Sequence, residues 1–151
     1  MRPTPKGWPR LSASIFYDDP RAAIDWLCRA FGFEVRLVVE GEGGAIEHSE
    51  LTYGEGLMMV GHAGGRPGRL EPLPSRSPKA LGGHVTQALC LFVDDVDAHC
   101  DQARKAGAII TEGPRTTDYG DDYWTDRSYA ALDPEGHLWW FMQRLKGPGA
   151  S

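Results

Sequence analysis

The feature that most constrains the fold is an internal repeat. When the sequence is shifted by 76 residues, the segment 16–30 meets 92–106 with six identities in fifteen positions. The identical pairs are Phe16 with Phe92, Asp18 with Asp94, Asp19 with Asp95, Ala22 with Ala98, Asp25 with Asp101 and Ala30 with Ala106. A repeat of this length predicts two modules that share one architecture.

Each module begins with a strand and a helix. Alternating residues from Ser12 to Tyr17 predict a strand, Asp19 is a helix N-cap followed by Pro20, and Gly32 suits the C-cap. Apolar residues recur every three or four positions at Ala23, Ile24, Leu27, Ala30 and Phe31, and again at Val96, Cys100 and Ala103 before Gly107. One face of each helix can therefore lie on a sheet.

Three further strands follow each helix. A shift of 80 residues aligns Glu55-Gly56 with Glu135-Gly136, each between two short apolar runs, which is typical of a hairpin turn. The strands are expected at 34–40, 46–53 and 57–60, and near 109–111, 127–132 and 138–142. Three successive strands after each helix argue against a ferredoxin-like sandwich.

The predicted fold class is α+β, with two tandem βαβββ modules in a single domain. The modules cover about 10–63 and 84–146, and the stretch 64–83, with five glycines and four prolines, is the expected linker. Each module alone leaves one sheet face uncovered by a helix. Pairing about a pseudo-twofold axis would give an open, cup-shaped mixed sheet, whose concavity is the expected pocket.

Composition excludes several classes of function. The 151 residues include 41% hydrophobic and 25% charged residues, which are values of one globular domain. A net charge of −5 argues against a nucleic-acid partner. No apolar run is long enough to span a membrane and 1–10 lacks a signal peptide, so we expect a cytoplasmic protein. Three cysteines without C-x-x-C spacing suggest reduced thiols.

Several short motifs resemble those of one superfamily. They are Phe16-Tyr17-Asp18-Asp19, Phe31-Gly32-Phe33-Glu34, Val93-Asp94-Asp95-Val96-Asp97-Ala98, Ala106-Gly107-Ala108 and Asp133-Pro134-Glu135-Gly136-His137. With the order of elements, they resemble the glyoxalase, bleomycin-resistance and extradiol-dioxygenase (vicinal oxygen chelate) superfamily over about 10–145. The resemblance implies the fold, but its members include metal-dependent enzymes as well as drug-sequestering proteins without metal.

The resemblance also implies where a metal would bind. Enzymes of the superfamily place His, Glu or Gln ligands on the first and last strand of each half, and the corresponding positions here are Ser12, Val60, Ala88 and Trp140. These side chains do not supply the donors that a divalent ion needs, so we expect neither a metal nor another cofactor. The run Glu50-Leu51-Thr52-Tyr53 resembles a ligand-bearing run of some glyoxalases but lies one strand too early.

One strand carries candidate polar chemistry. His48, Glu50 and Thr52 share a face of the strand 46–53 because side chains alternate. His48 and Glu50 could act as a general base and its orienting partner, or contact a polar ligand, or form a solvated strand face. A metal held by His48, Glu50, His62 and His84 would need register shifts in three strands.

The second half is rich in aromatic residues. Tyr119, Tyr123, Trp124 and Tyr129 alternate with Asp118, Asp121, Asp122 and Asp126. This composition fits a clamp for a positively charged or sugar-bearing guest, or an exposed acidic loop. Trp140 is expected to face the pocket while Trp139 and Phe141 pack under a helix. Gln87 would face the pocket only with a β-bulge.

These observations favour a metal-independent homodimer that binds a small organic molecule. The expected ligand-binding residues are Ser12, His48, Glu50, Val60, Gln87, Tyr119, Trp124 and Trp140. The alternative is a metal-dependent glyoxalase-type lyase or isomerase, or a dioxygenase, that uses His48 and Glu50. A third possibility is a structural or regulatory module acting through its dimer surface.

Overall fold

A computed structural model describes residues 1–65 and 74–149. The chain forms two compact units, Met1–Leu81 and Gly82–Ser151, and each contains one strand, one helix and three further strands in that order. The expected linker at 64–83 lies partly outside the described residues. Its described part includes a short 3-10 helix, Pro78–Leu81.

The first unit is a four-stranded mixed sheet with one helix. Its elements are β1 Ala13–Tyr17, α1 Pro20–Phe31, β2 Glu34–Glu40, a 3-10 turn Glu42–Gly44, β3 Ile46–Tyr53 and β4 Gly56–His62. The strand order is β1-β4-β3-β2, with β1 and β4 parallel and the other pairs antiparallel. The predicted caps of α1 are confirmed, because Asp19 accepts a hydrogen bond from the Ala22 N–H and Gly32 is left-handed.

The second unit repeats this arrangement. Its elements are β5 Ala88–Phe92, α2 Val96–Lys105, β6 Ile109–Asp118, β7 Thr125–Leu132 and β8 Leu138–Lys146. The strand order β5-β8-β7-β6 matches that of the first unit, and Asp95 caps α2 through the Ala98 N–H. The predicted α+β class and βαβββ order are confirmed. Strand β6 extends to Asp118, well beyond the predicted 109–111.

Each sheet has one face packed on the helix of its own unit. In the first unit Ile15, Leu51 and Val60 are buried there, and in the second Trp139 and Phe141 are fully buried. The opposite sheet surface of each unit is called its open face below. Trp140 is only half-buried and lies on the open face, so the predicted alternation of Trp140 with Trp139 and Phe141 is confirmed.

The predicted orientation of Val60 is wrong by one residue. Ile15 pairs with Val60 whereas its repeat counterpart Leu91 pairs with Phe141, so Val60 corresponds to Phe141 rather than to Trp140. The hairpin turns differ in length. Two residues separate the paired Tyr53 and Gly56, and five separate Leu132 and Leu138.

This offset of one residue means that every side chain of β4 lies on the face opposite to the predicted one, because a shift of one residue exchanges the two faces of a strand. Val60 is 1% exposed and lies on the helix-covered face. Its neighbour Met59 pairs with Ser14 and occupies the open-face position that corresponds to Trp140. Neither Met59 nor Val60 carries an oxygen or nitrogen donor on its side chain.

The predicted grouping of Tyr129 with the aromatic loop is wrong. Tyr129 lies in β7, within the predicted strand 127–132, and is fully buried under α2. Its hydroxyl lies 2.7 Å from Nδ1 of His99 on α2, and its ring stacks on Phe141 at 4.9 Å. Tyr129 therefore belongs to the core.

Candidate functional site

A buried carboxylate lies at the centre of a polar cluster on the first unit. Glu50 on β3 is 5% exposed, and its Oε1 lies 2.9 Å from Nε2 of His48. Its Oε2 lies 3.0 Å from Nε of Arg36 on β2. His48 and Glu50 are two residues apart on one strand, so the contact agrees with the predicted alternation. Both carboxylate oxygens therefore have a partner.

Arg36 links this cluster to the N-terminal segment. Its Nη1 donates a hydrogen bond to the carbonyl oxygen of Gly7, and its guanidinium lies 5.3 Å from the ring centroid of Trp8. Arg36 stands at an irregularity in the pairing of β2 with β3, between Val35 and Leu37. This break in alternation explains why sequence periodicity did not indicate Arg36 as a site residue.

A second cluster lies on the open face of the second unit, around Arg144 of β8. The guanidinium lies 4.9 Å from the ring centroid of Trp124 and 5.4 Å from that of Phe92. Its Nε donates to Oδ1 of Asp126, which is 8% exposed, and its Nη2 lies 3.4 Å from Oδ2. The cluster thus combines two aromatic rings with a compensated charge pair.

The loop between β6 and β7 positions Trp124. The Tyr119 N–H donates to the Trp124 carbonyl oxygen at 2.9 Å, and the two rings lie 5.7 Å apart. Tyr123 meets Trp124 edge-on at 6.0 Å. The sequence suggested a clamp for a positively charged or sugar-bearing guest, or an exposed acidic loop, and Arg144 occupies one face of Trp124. The structure therefore gives no support to a cation site at Trp124.

The remaining predicted residues differ in their exposure and in their position on the strands. Ser12 is half-buried and precedes β1 by one residue, while Gln87 is exposed and precedes β5 by one residue. Trp140 pairs with Cys90 and Ala130 on the open face of the second unit. Tyr119 is more than half exposed.

The described side chains do not fit a metal ion. In residues 1–65 and 74–149, no group of three or more His, Cys, Asp or Glu residues is placed to hold one. His48 and Glu50 supply two donor groups, but both oxygens of Glu50 are engaged by His48 and Arg36. His62 instead places Nδ1 2.7 Å from the carbonyl oxygen of Ala63, and His84 is exposed outside the strands. Within the described part of the chain, the alternative set of His48, Glu50, His62 and His84 supplies no group of three or more metal-binding side chains.

The family model of the Glyoxalase/Bleomycin resistance protein/Dioxygenase superfamily matches residues 11–141. The chain belongs to this superfamily. The match covers both units from β1 into β8, and it agrees with the repeated βαβββ order. Among the described residues, no helix combines the length and apolar character needed to cross a membrane.

Curated relatives of this superfamily member come from mycobacteria. The uncharacterized protein Mb0911c of Mycobacterium bovis is 32% identical over 143 residues, which cover 91% of this chain and 85% of the relative. The uncharacterized protein Rv0887c of Mycobacterium tuberculosis has the same identity over 143 residues and is covered to 76%.

Solved structures show the same fold. TioX from Micromonospora sp. ML1 is 32% identical, with a TM-score of 0.66 over 89% of this chain and 95% of TioX. TnmS3 from Streptomyces sp. CB03234, described as an antibiotic binding protein, is 20% identical, with a TM-score of 0.62 over 88% of this chain and 93% of TnmS3. The likeness to TnmS3 concerns the fold alone.

Proposed function

We propose that this protein binds a small organic molecule without a metal, and that the open face of the Gly82–Ser151 unit contributes the main contacts. The observation that carries the proposal is the aromatic surface formed by Phe92, Trp124 and Trp140. Phe92 is 55% exposed, and the two tryptophans are half-buried. Aromatic side chains that remain accessible on a sheet surface offer a large apolar contact area at a low entropic cost.

The charges nearby favour a flat, neutral or weakly polar guest. Arg144 and Asp126 compensate each other, so this pair adds no net charge beside the aromatic rings. A cation would have to displace the guanidinium from Trp124, at the cost of leaving Asp126 buried without its partner. A planar molecule can instead stack on the accessible aromatic surface, and a carbonyl group on it can accept a hydrogen bond from Arg144.

The comparisons support a ligand of the drug type. TnmS3 is an antibiotic binding protein with this fold, so the fold is able to hold an antibiotic. The superfamily itself includes bleomycin resistance proteins. Because the described donors of this chain do not fit a metal, sequestration of an organic molecule is better supported here than a metal-dependent reaction.

Tryptophan fluorescence tests the proposal directly. We expect saturable quenching by at least one member of a panel of planar aromatic antibiotics, and this quenching should be unchanged by a metal chelator. Trp140→Ala should weaken binding about tenfold or more, because a central aromatic contact is lost. Leu145→Ala, which changes an exposed apolar residue of the same strand, is the control. Equal affinity in Trp140→Ala and wild type would contradict the proposal, as would loss of binding on chelation.

A proton-transfer enzyme is the second candidate function. It is favoured by the 2.9 Å contact between His48 and Glu50, the geometry of a general base and its orienting group. Its test is turnover of the hemithioacetal of methylglyoxal and glutathione, measured after incubation with Zn, Ni, Mn or Fe. Turnover that disappears in His48→Gln would favour the enzyme over the binder.

We also propose a homodimer in the cytoplasm. Strand β2 is an edge strand of its sheet, and its Val35, which pairs with Leu51 rather than with Glu50, is 51% exposed. An edge strand with an accessible apolar side chain is a surface that a second copy can cover. Sedimentation of the purified protein should show twice the chain mass, and Val35→Lys should give the monomer. A monomeric wild-type protein would contradict the proposed dimer. Cell fractionation tests the proposed location, since the protein should be recovered in the cytoplasmic fraction.

A further inference from the structure

We infer that His48 and Glu50 form a binding dyad for an acidic hydroxyl group, such as a phenol or enol, on the organic ligand. The inference rests on the proposed small-molecule binding and concerns a molecule that binds on the Met1–Leu81 unit. It does not require the aromatic surface around Trp140.

The hydrogen-bond partners indicate which nitrogen of the neutral His48 imidazole carries the hydrogen. Glu50 is ion-paired with Arg36 through Oε2, so its carboxylate accepts hydrogen bonds and does not donate them. The Nε2 atom of His48, 2.9 Å from Oε1, must therefore carry the hydrogen. In a neutral imidazole the other nitrogen then holds a lone pair, so Nδ1 of His48 is a hydrogen-bond acceptor and a base.

This lone pair is accessible. The side chain of His48 is 40% exposed, and the described part of the chain places no hydrogen-bond donor at its Nδ1. Glu50, by contrast, is held from two sides by His48 and Arg36. The carboxylate thus restrains the imidazole ring while its basic nitrogen stays available to a ligand.

The surroundings suit a ligand with an apolar body and one polar group. Val39 is the cross-strand partner of His48, and Leu37 is the partner of Glu50, so both lie beside the dyad on the same face. They are 40% and 42% exposed. A ligand that contacts these side chains can place a hydroxyl group on Nδ1.

The chemistry is a hydrogen bond that can proceed to proton transfer. The ligand hydroxyl donates to Nδ1. For an acidic hydroxyl, the proton moves from the ligand oxygen to Nδ1, and the electron pair of the O–H bond remains on oxygen. The resulting imidazolium is stabilised by Glu50, and the ligand oxyanion stays paired with it. A methyl ether offers no proton, so it loses this contact.

The matched probes 7-hydroxycoumarin and 7-methoxycoumarin test the inference. We expect the hydroxyl compound to bind about tenfold more tightly, since a hydrogen bond in a charged dyad is among the stronger ones. The bound hydroxyl compound should also show the absorption band of its anion at a pH where the free compound is neutral. In His48→Gln, both the preference and the band should disappear while 7-methoxycoumarin binds as before.

Two further variants separate the dyad from its surroundings. Thr52→Val changes a half-buried residue on the same face of β3 and should retain the preference. Glu50→Gln should reduce the preference for the hydroxyl compound although His48 remains. The amide of glutamine can donate a hydrogen bond to Nε2 of His48, which then becomes the acceptor, so that Nδ1 carries the hydrogen and no longer accepts one from the ligand. Equal binding of both coumarins by wild type, or a preference that persists in His48→Gln, would overturn the inference while leaving the proposed function intact. If neither coumarin nor any antibiotic of the panel binds, both proposals are wrong.

Discussion

The indole Nε1 of Trp139 lies 3.1 Å from Oδ2 of Asp133, and both side chains are almost completely buried. The other oxygen, Oδ1, accepts hydrogen bonds from the N–H groups of Glu135 and His137. Asp133 therefore ties the five-residue loop before β8 to the strand that carries Trp140. The motif Asp133-Pro134-Glu135-Gly136-His137 therefore has a structural role, because its hydrogen bonds set the residue at which β8 begins.

Asp133→Ala should destabilise the protein by about 3 kcal/mol, because it leaves the buried Trp139 N–H and two backbone N–H groups without this acceptor. Chemical denaturation monitored by circular dichroism measures the change. The control is Asp121→Ala, which removes a fully exposed carboxylate and should change the free energy of unfolding by less than about 0.5 kcal/mol. Equal losses in the two variants would be inconsistent with the role given to Asp133.

The ion pair between Asp97 and Arg127 predicts an acid-sensitive contact between α2 and β7. Hydrogen bonds from Arg127, at 2.6 and 2.7 Å, lower the pKa of the Asp97 carboxyl; desolvation opposes this shift and the charge of Arg127 assists it. A folded-state pKa below the unfolded one means that the contact stabilises the protein above the unfolded pKa of about 3.9. This stabilisation is lost as the pH falls towards the lower folded pKa.

Asp97→Asn should therefore reduce the acid dependence of Tm. Wild type and variant are compared from about pH 6 down to about pH 3, a range that spans the usual aspartate pKa. The difference in Tm between them should shrink as the pH falls. Parallel curves would show that the carboxylate contributes nothing through this pair.

Trp8 is expected to anchor the N-terminal segment through Arg36. Trp8→Ala removes the ring 5.3 Å from the guanidinium and should cost about 0.5–1 kcal/mol of stability. It should also increase cleavage within residues 1–10 by a protease under native conditions. Leu11→Ala, at a residue that is 88% exposed, is the control and should change neither quantity. Unchanged cleavage in Trp8→Ala would argue against the anchor.

The three cysteines should differ in reactivity. Cys90 is exposed and pairs with Trp140 on the open face of the second unit, whereas Cys100 is buried. Burial raises the pKa of the Cys28 and Cys100 thiols, which lowers their thiolate fraction at neutral pH. A disulfide reagent should therefore react rapidly with the Cys90 thiol and slowly with the other two. Cys90→Ser should remove the fast phase of this reaction.

A bound ligand should protect Cys90. If the aromatic surface is the binding site, a ligand that quenches the tryptophan fluorescence should slow the reaction of Cys90 with the disulfide reagent when that ligand is present at saturating concentration. Cys28 provides the internal comparison because it lies on α1 of the other unit. Undiminished labelling of Cys90 under saturation would place the ligand elsewhere.

The sequence predicted the elements well because their signals are local. The Asp19 and Asp95 caps and the alternation of β8 depend on residues close in the chain, and each is found in the structure. The failure at Val60 came from treating two turns as equal in length. Turn length sets strand register. Because the turn before β4 is shorter than the turn before β8, Val60 lies in the core and not on the open face, where the sequence alignment had placed it.

The centres of the two candidate clusters could not be predicted in the same way. Arg36 meets Gly7 across 29 positions, and Arg144 meets Asp126 across 18 and Phe92 across 52. No short-range pattern marks such contacts. His48 and Glu50 were found because their partnership lies within one strand.

The placement of Arg144 against Trp124 has an evolutionary consequence. The face of Trp124 that Arg144 covers is closed to a second cation. A single substitution such as Arg144→Met would open that face and leave the Asp126 charge without its counterion. Relatives that differ at this one position would therefore present a different aromatic surface on an otherwise unchanged scaffold.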